Sequence, residues 1–284
     1  MAAAPNSRAA PQLALSAIGQ LPDPEIDIAD AALQLARSDA PEADWAAARA
    51  LLSDIARDAA SLASVLGALP GLEIRAEALT GLLAGKYGFR GDATTYDDLA
   101  NANLIRVVER RQGMPVALGV VWLHAARAAG WAAHGVDFPG HFLVALEGSG
   151  TQLVLDVFDG GTPLDARALR ILIKRVEGEE AELRPGILRP MSTRAVLLRL
   201  QNNIKSRRLA AGELDAALAC IADMLRIAPD HASLWREAAI FHEHAGRPQA
   251  ALAAYDRFLA LVPATDPAAV RARAAAATLR LRLQ

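Results

Sequence analysis

His141 and Asp156 are the two residues of this chain whose types and spacing could do chemistry together. They stand in "FPGHFLVALEGSGTQLVLDVFDGG", Phe138 to Gly161, at matching ends of two short apolar segments. If "EGSG" (147–150) is a four-residue turn, Leu146 opposes Thr151, Val144 opposes Leu153 and His141 opposes Asp156. Opposed residues of an antiparallel pair share a face, with Cβ atoms about 5 Å apart. An aspartate so placed can accept from one imidazole nitrogen and fix the tautomer of the other. That is the base and the orienting group of a nucleophilic triad without its nucleophile. In the alternative both side chains are merely solvated, His141 after a Pro-Gly turn and Asp156 before a loop. Spacing alone favours that alternative, and a three-residue loop would shift the pairing by one.

No other residue supplies the missing group. Cys220 is the single cysteine and falls in a helical packing pattern, where it reads as a buried core thiol. "HEH" (242–244) lacks the second histidine of a zinc-binding helix, and His124 lies within an apolar helix as a core histidine would. "ERRQG" (109–113) reads as a solvated helix end whose cations suit the C-terminal dipole. An anion-binding rim beside the hairpin is its lesser reading. No Gly-rich phosphate loop and no metal-ligand set occurs, so neither a cofactor nor a metal is expected.

The elements that must position the pair follow from periodicity. A loose tail is expected over residues 1–20. Helical periods then run through Ile28–Ala36, from near Pro41 to about Leu66, and from about Ile74 to Leu83. "KYGFRGDATTYDD" (86–98) is a Gly-punctuated loop, after which Asp97 or Asp98 caps a helix reaching Arg111. "RQGMP" interrupts, and Pro115 opens a helix to Ala129. The period then becomes two over 132–138, 141–147 and 151–158, and a helix follows from Asp165 to about Val176. Helices followed by a run of strands predict an α+β domain with an antiparallel sheet, over 21–190.

From 191 to 284 the chain is helical and repeats itself. Gly212 and Gly246, Ala217 and Ala251, Leu225 and Leu259, and Pro229 and Pro263 are each 34 residues apart. That period is the helix–turn–helix signature of tetratricopeptide repeats. Trp235 takes the repeat's first-helix aromatic position, where the earlier copy has Gln201. A closing helix is expected from Pro267 to Leu283.

Composition narrows the classes of function. The net charge of −2 creates no global positive field for nucleic acid or anionic membrane. The longest apolar run, Pro115–Trp131, carries His124 and Arg127 and is shorter than a membrane span. "MAAAPNSRAAPQLALSAIG" lacks the continuous apolar block of a signal peptide. With one cysteine and no internal disulfide, a soluble cytoplasmic protein is expected.

"GHFLV…LVLDVFDGG", preceded by a helix ending in "AARAAGW", resembles the transglutaminase-like superfamily of papain-type cysteine enzymes. "YDDLANANLIRVVERRQGMPVALG" (96–119), "GVDFPGHFLV" (135–144), "LDVFDGG" (155–161) and the repeat tail resemble bacterial SirB-type members of it. The resemblance implies a papain-like core of helices and a small sheet, followed by an all-α repeat unit. In the superfamily a cysteine opens the helix that ends at the glycine matched by Gly130, and here that position is Pro115. Proline at this position is the SirB-type norm, and members carry Asn-Ser where this chain has Asn101-Ala102. The resemblance makes His141 and Asp156 a vestigial or candidate catalytic pair, and Asn101, Arg110, Arg111, Gly113 and Gly140 candidates to line the cleft. It implies a non-catalytic protein- or peptide-binding module, a pseudoenzyme with the repeats as a second surface. The alternative is a hydrolase in which the His–Asp pair activates water.

Overall fold

The computed structural model describes residues 8–67 and 70–283. These residues divide into two compact units, one built on Pro22–Leu200, the other on Ala9–Leu21 with the chain from Gln201 onward. The helices are α1 (Ala9–Ile18), α2 (Ile28–Asp39), α3 (Trp45–Leu66), α4 (Leu72–Thr80), α5 (Leu104–Arg110), α6 (Pro115–Ala128), α7 (Ala166–Glu177) and α8 (Thr193–Ala210). They continue as α9 (Leu214–Ile227), α10 (Ala232–His244), α11 (Pro248–Leu261) and α12 (Pro267–Arg282). The strands are β1 (Arg90–Gly91), β2 (Gln112–Gly113), β3 (Ala133–Phe138), β4 (His141–Gly148), β5 (Thr151–Asp156), β6 (Thr162–Leu164) and β7 (Pro190–Met191).

The first unit is α+β. Its antiparallel sheet has the order β6-β5-β4-β3-β7, and β1 and β2 form a separate parallel pair. α6 is apolar around nearly its whole circumference, as a helix enclosed on all sides must be. It packs against β3 and β4 and against α2 and α3. The Phe142 ring lies where a side chain on Gly119 of α6 or Gly135 of β3 would sit, so two glycines let helix and sheet close over one aromatic. Among the described residues no helix is long and apolar enough to cross a membrane.

In the second unit α9, α10, α11 and α12 pack in succession, and α1 packs on α9. Gly19 passes so close to the Arg226 carbonyl that no Cβ fits between them. Gly212 and Gly246, at φ 77° and 66°, occupy equivalent left-handed positions after α8 and α10.

Several elements depart from the sequence reading. Ala9–Ile18 is a helix rather than a loose tail, because Pro11, Leu15 and Ile18 form a stripe that α9 covers; residues 1–7 lie outside the described residues. α3 begins at Trp45, since the Asp44 carboxylate accepts from the Ala47 amide and caps it there. The expected helix from Asp97 or Asp98 is split. Asp98 caps a short 3₁₀ turn, while Asn103 accepts from the Ile105 and Arg106 amides and starts α5. The third helix changes to a π-helical turn at Gly81–Lys86, and β6 and β7 add two strands to the sheet.

Candidate functional site

The β4–β5 hairpin turns on two residues. Ser149 and Gly150 have φ of 51° and 76°, the pair of positive values that a type I′ turn demands. The ladder runs from Gly148↔Thr151 to Val144↔Leu155, two residues away from the four-residue-turn register. A slip of two keeps every side chain on its face, whereas a slip of one would have parted His141 from Asp156. The two are therefore diagonal neighbours rather than opposed. Nε2 of His141 lies 2.9 Å from Oδ1 of Asp156, with the side chains only 14% and 15% exposed. An ionised carboxylate only accepts, so Nε2 is the donor of this bond. Asp156 Oδ1 also accepts from the amides of Phe158, at 3.0 Å, and Asp159, at 3.4 Å. That local turn ends β5 two residues before the expected end.

Residues far apart in sequence hold the start of β4. Pro139 and Gly140 make the β3–β4 turn, with Phe138 opposite His141 and Gly140 at φ 62° beneath Val176 of α7. Arg199 of α8 donates to the His141 carbonyl at 2.6 Å, pairs with Asp137 and lies 5.8 Å from the centroid of the Phe142 ring. Burial pulls the Arg199 pKa below its usual value. Phe158 meets the His141 ring edge-on at 6.2 Å, and the half-exposed Tyr96 meets Phe158 at 5.9 Å.

Pro115 is buried in the first turn of α6, and the backbone leading to it is pinned from behind. The Met114 amide donates to the Asn101 carbonyl at 3.0 Å. Asn101 is fully buried and donates from Nδ2 to Thr95 O at 2.6 Å, while its Oδ1 has no hydrogen-bond partner among the described residues. Gly113 accepts from the Asp92 amide, and a Cβ on it would lie 2.8 Å from Val107. The Asp92 carboxylate accepts from the Thr95 hydroxyl and amide, the Thr94 amide and Arg110. The Thr95 hydroxyl and amide hold its pKa down to about 2.

The two arginines of "ERRQG" diverge. Arg110 is spent on Asp92, at 2.9 Å. Arg111, left-handed at φ 58°, lies 5.3 Å from the centroid of the Phe89 ring, where burial lowers its pKa. It lines a cavity of about 240 Å³ with Leu51, Ile105 and Val108. His124 bonds the Leu52 carbonyl at 2.9 Å, and Cys220 is buried. Among the described residues no cluster of His, Cys, Asp or Glu could hold a metal ion. Sequence reasoning missed Arg199, whose contact with His141 spans 58 residues, and Tyr96, whose place depends on the folded 92–101 loop. The two-residue turn was readable: "GSG" supplies the positive φ that such a turn needs.

A family model described as transglutaminase-like superfamily matches residues 46–202, and a tetratricopeptide repeat model matches 204–282. A UPF0162 protein of Xylella fastidiosa (strain Temecula1) is 31% identical over 246 residues, 86% of this chain and 86% of its own length. A UPF0162 protein of Vibrio cholerae is 30% identical over 196 residues, 69% of this chain and 72% of its own. The crystal structure of menin, at 10% identity and a TM-score of 0.40 over 87% of this chain and 69% of its own, is a loose likeness.

Proposed function

Because this chain belongs to the transglutaminase-like superfamily, among the UPF0162 proteins, we propose that it is a non-catalytic protein- or peptide-binding regulatory module. Its two domain types together make a module capable of protein interaction. The observation that carries the reading is Pro115 in the first turn of α6. A cysteine there would draw a lowered pKa from the helix field and attack as thiolate. Proline offers no nucleophile and no N–H to stabilise an oxyanion. In this reading the His141–Asp156 bond staples the end of the hairpin, and Asp156 shares the same oxygen with two amides. Asn101, Gly113 and Gly140 then shape the cleft backbone, while Arg110 orders the 92–98 loop. The lone buried thiol supports a cytoplasmic placement.

A second reading rests on the same hydrogen bond. With Nε2 turned to Asp156, Nδ1 is the nitrogen available as a general base toward water, which makes a hydrolase the alternative. Incubating the full chain with a glutamine peptide and a labelled amine tests the first reading. The expected result is no incorporation and no deamidation, with or without an alkylating agent. Incorporation or deamidation above the blank that disappears in His141→Ala would overturn it.

A further inference from the structure

The second unit carries a groove that none of the foregoing chemistry uses. Its volume is about 530 Å³, and it runs between α9, α10 and α11. Leu218, Ile221 and Leu225 line it from α9, Trp235 and Ala238 from α10, and Ala254 from α11. The α9 and α10 sets recur at helical spacing, so two apolar stripes and Ala254 converge on one concavity. Trp235 is half-buried and lines this groove. Its indole donates to the Pro229 carbonyl at 2.7 Å, which fixes the ring as a wall of the groove.

The charges on the lining are one-sided. It holds Arg226, His242 and Arg257 and no carboxylate, in a chain whose net charge is −2. Arg226 is neutralised by Asp223 at 2.8 Å. Arg257 is exposed, lies 5.5 Å from the centroid of the Trp235 ring and pairs with no carboxylate among the described residues. Burial, helped by the nearby Arg247 charge, lowers the His242 pKa. Nδ1 of His242 is buried with no hydrogen-bond partner among the described residues. An apolar concavity with one unpaired guanidinium at its wall and one unspent polar atom matches an apolar segment that carries a carboxylate.

We propose that this groove binds a linear peptide that seats apolar side chains between α9, α10 and α11 and sets an Asp or Glu side chain on Arg257. The proposal rests on the binding-module reading and names the chemistry of the partner at the repeats. The guanidinium supplies the ion pair, the Trp235 face supports it from below, and the apolar stripes supply the contact area.

The test selects random peptides, displayed without a free C-terminus, on the immobilised full chain, and measures the affinity of the enriched sequences. They are expected to combine apolar residues with Asp or Glu. Arg257→Gln is expected to weaken them by about ten-fold or more, with Arg257→Lys intermediate, since a charge-assisted bond is lost. Because Arg257 is exposed, the thermal midpoint of Arg257→Gln should match the parent, and Trp235→Leu is a second probe of the same wall. Failure to enrich any peptide, enriched sequences without carboxylates, or equal affinity for Arg257→Gln would overturn the assignment. Peptides bound with no dependence on Arg257 or Trp235 would leave a binding module without this groove. Chemical conversion of bound peptides would defeat the non-catalytic reading and leave the groove standing.

Discussion

The hairpin of the first unit and the groove of the second treat their polar groups in opposite ways. Around His141 the hydrogen bonds are made within the fold: Nε2 faces Asp156, Asp156 faces two amides, and Arg199 faces the His141 carbonyl and Asp137. Among the described residues, Arg257 of the groove has an aromatic face and no counter-charge, and Nδ1 of His242 has no hydrogen-bond partner. Of the residues that look catalytic in sequence, Asp156 and Nε2 of His141 are thus held by the fold itself. The capacity to bind lies where helices of a plain repeat leave a cation unspent. A His–Asp pair alone is therefore weak evidence for chemistry, because an aspartate at a strand end has local amides to satisfy.

The contrast can be broken first by stability. Phe142 is fully buried between α6 and the sheet, whereas Trp235 is half-buried on a groove wall. Phe142→Ala should cost about 3–5 kcal/mol in urea unfolding. Trp235→Ala should cost less than half of that while removing peptide binding. Equal losses would mean that the tryptophan is a core residue and the groove is closed. Next comes Asp156→Asn, expected to cost about 1.5–3 kcal/mol through the lost charge-assisted bonds, with binding of enriched peptides unchanged. A variant as stable as its parent would show that the hairpin does not rely on this staple.

Acid should act on the Asp92 cluster. With its pKa held at about 2 in the folded state, below the usual carboxylate value, Asp92 adds stability that is complete above the unfolded pKa. That stability is lost as pH falls through the folded value, about 2 kcal/mol in all. The loss should disappear in Asp92→Asn, and an unchanged acid profile in that variant would remove Asp92 from the account. The smallest effect belongs to Arg257→Gln, whose unfolding free energy should stay within about 0.5 kcal/mol of the parent as at other exposed sites.

Much of the fold was legible where local rules act alone. Proline at the start of α6, the apolar run of β4 and the 34-residue spacing of glycines and prolines each mark an element through the local sequence. The His141–Asp156 contact was one of two readings of the spacing, and the favoured one, with both side chains solvated, is corrected by the 2.9 Å bond; the register was missed as well, because the reading took "EGSG" as a four-residue loop where Ser149 and Gly150 suffice. What stayed hidden depends on distant partners. Asn103 takes the cap expected of Asp97 or Asp98, α1 is held by α9, and Arg199 reaches His141 from α8. The unpaired state of Arg257 is likewise invisible in sequence, where three helices and their ion pairs have not yet been brought together.

The central claim is that this chain binds without converting what it binds. Mass spectrometry of enriched peptides after prolonged incubation with wild type, His141→Ala and Asp156→Asn tests it most directly. The account predicts peptides retained at unchanged mass by all three proteins. Peptides cleaved, deamidated or hydrolysed by wild type and left intact by both variants would contradict it.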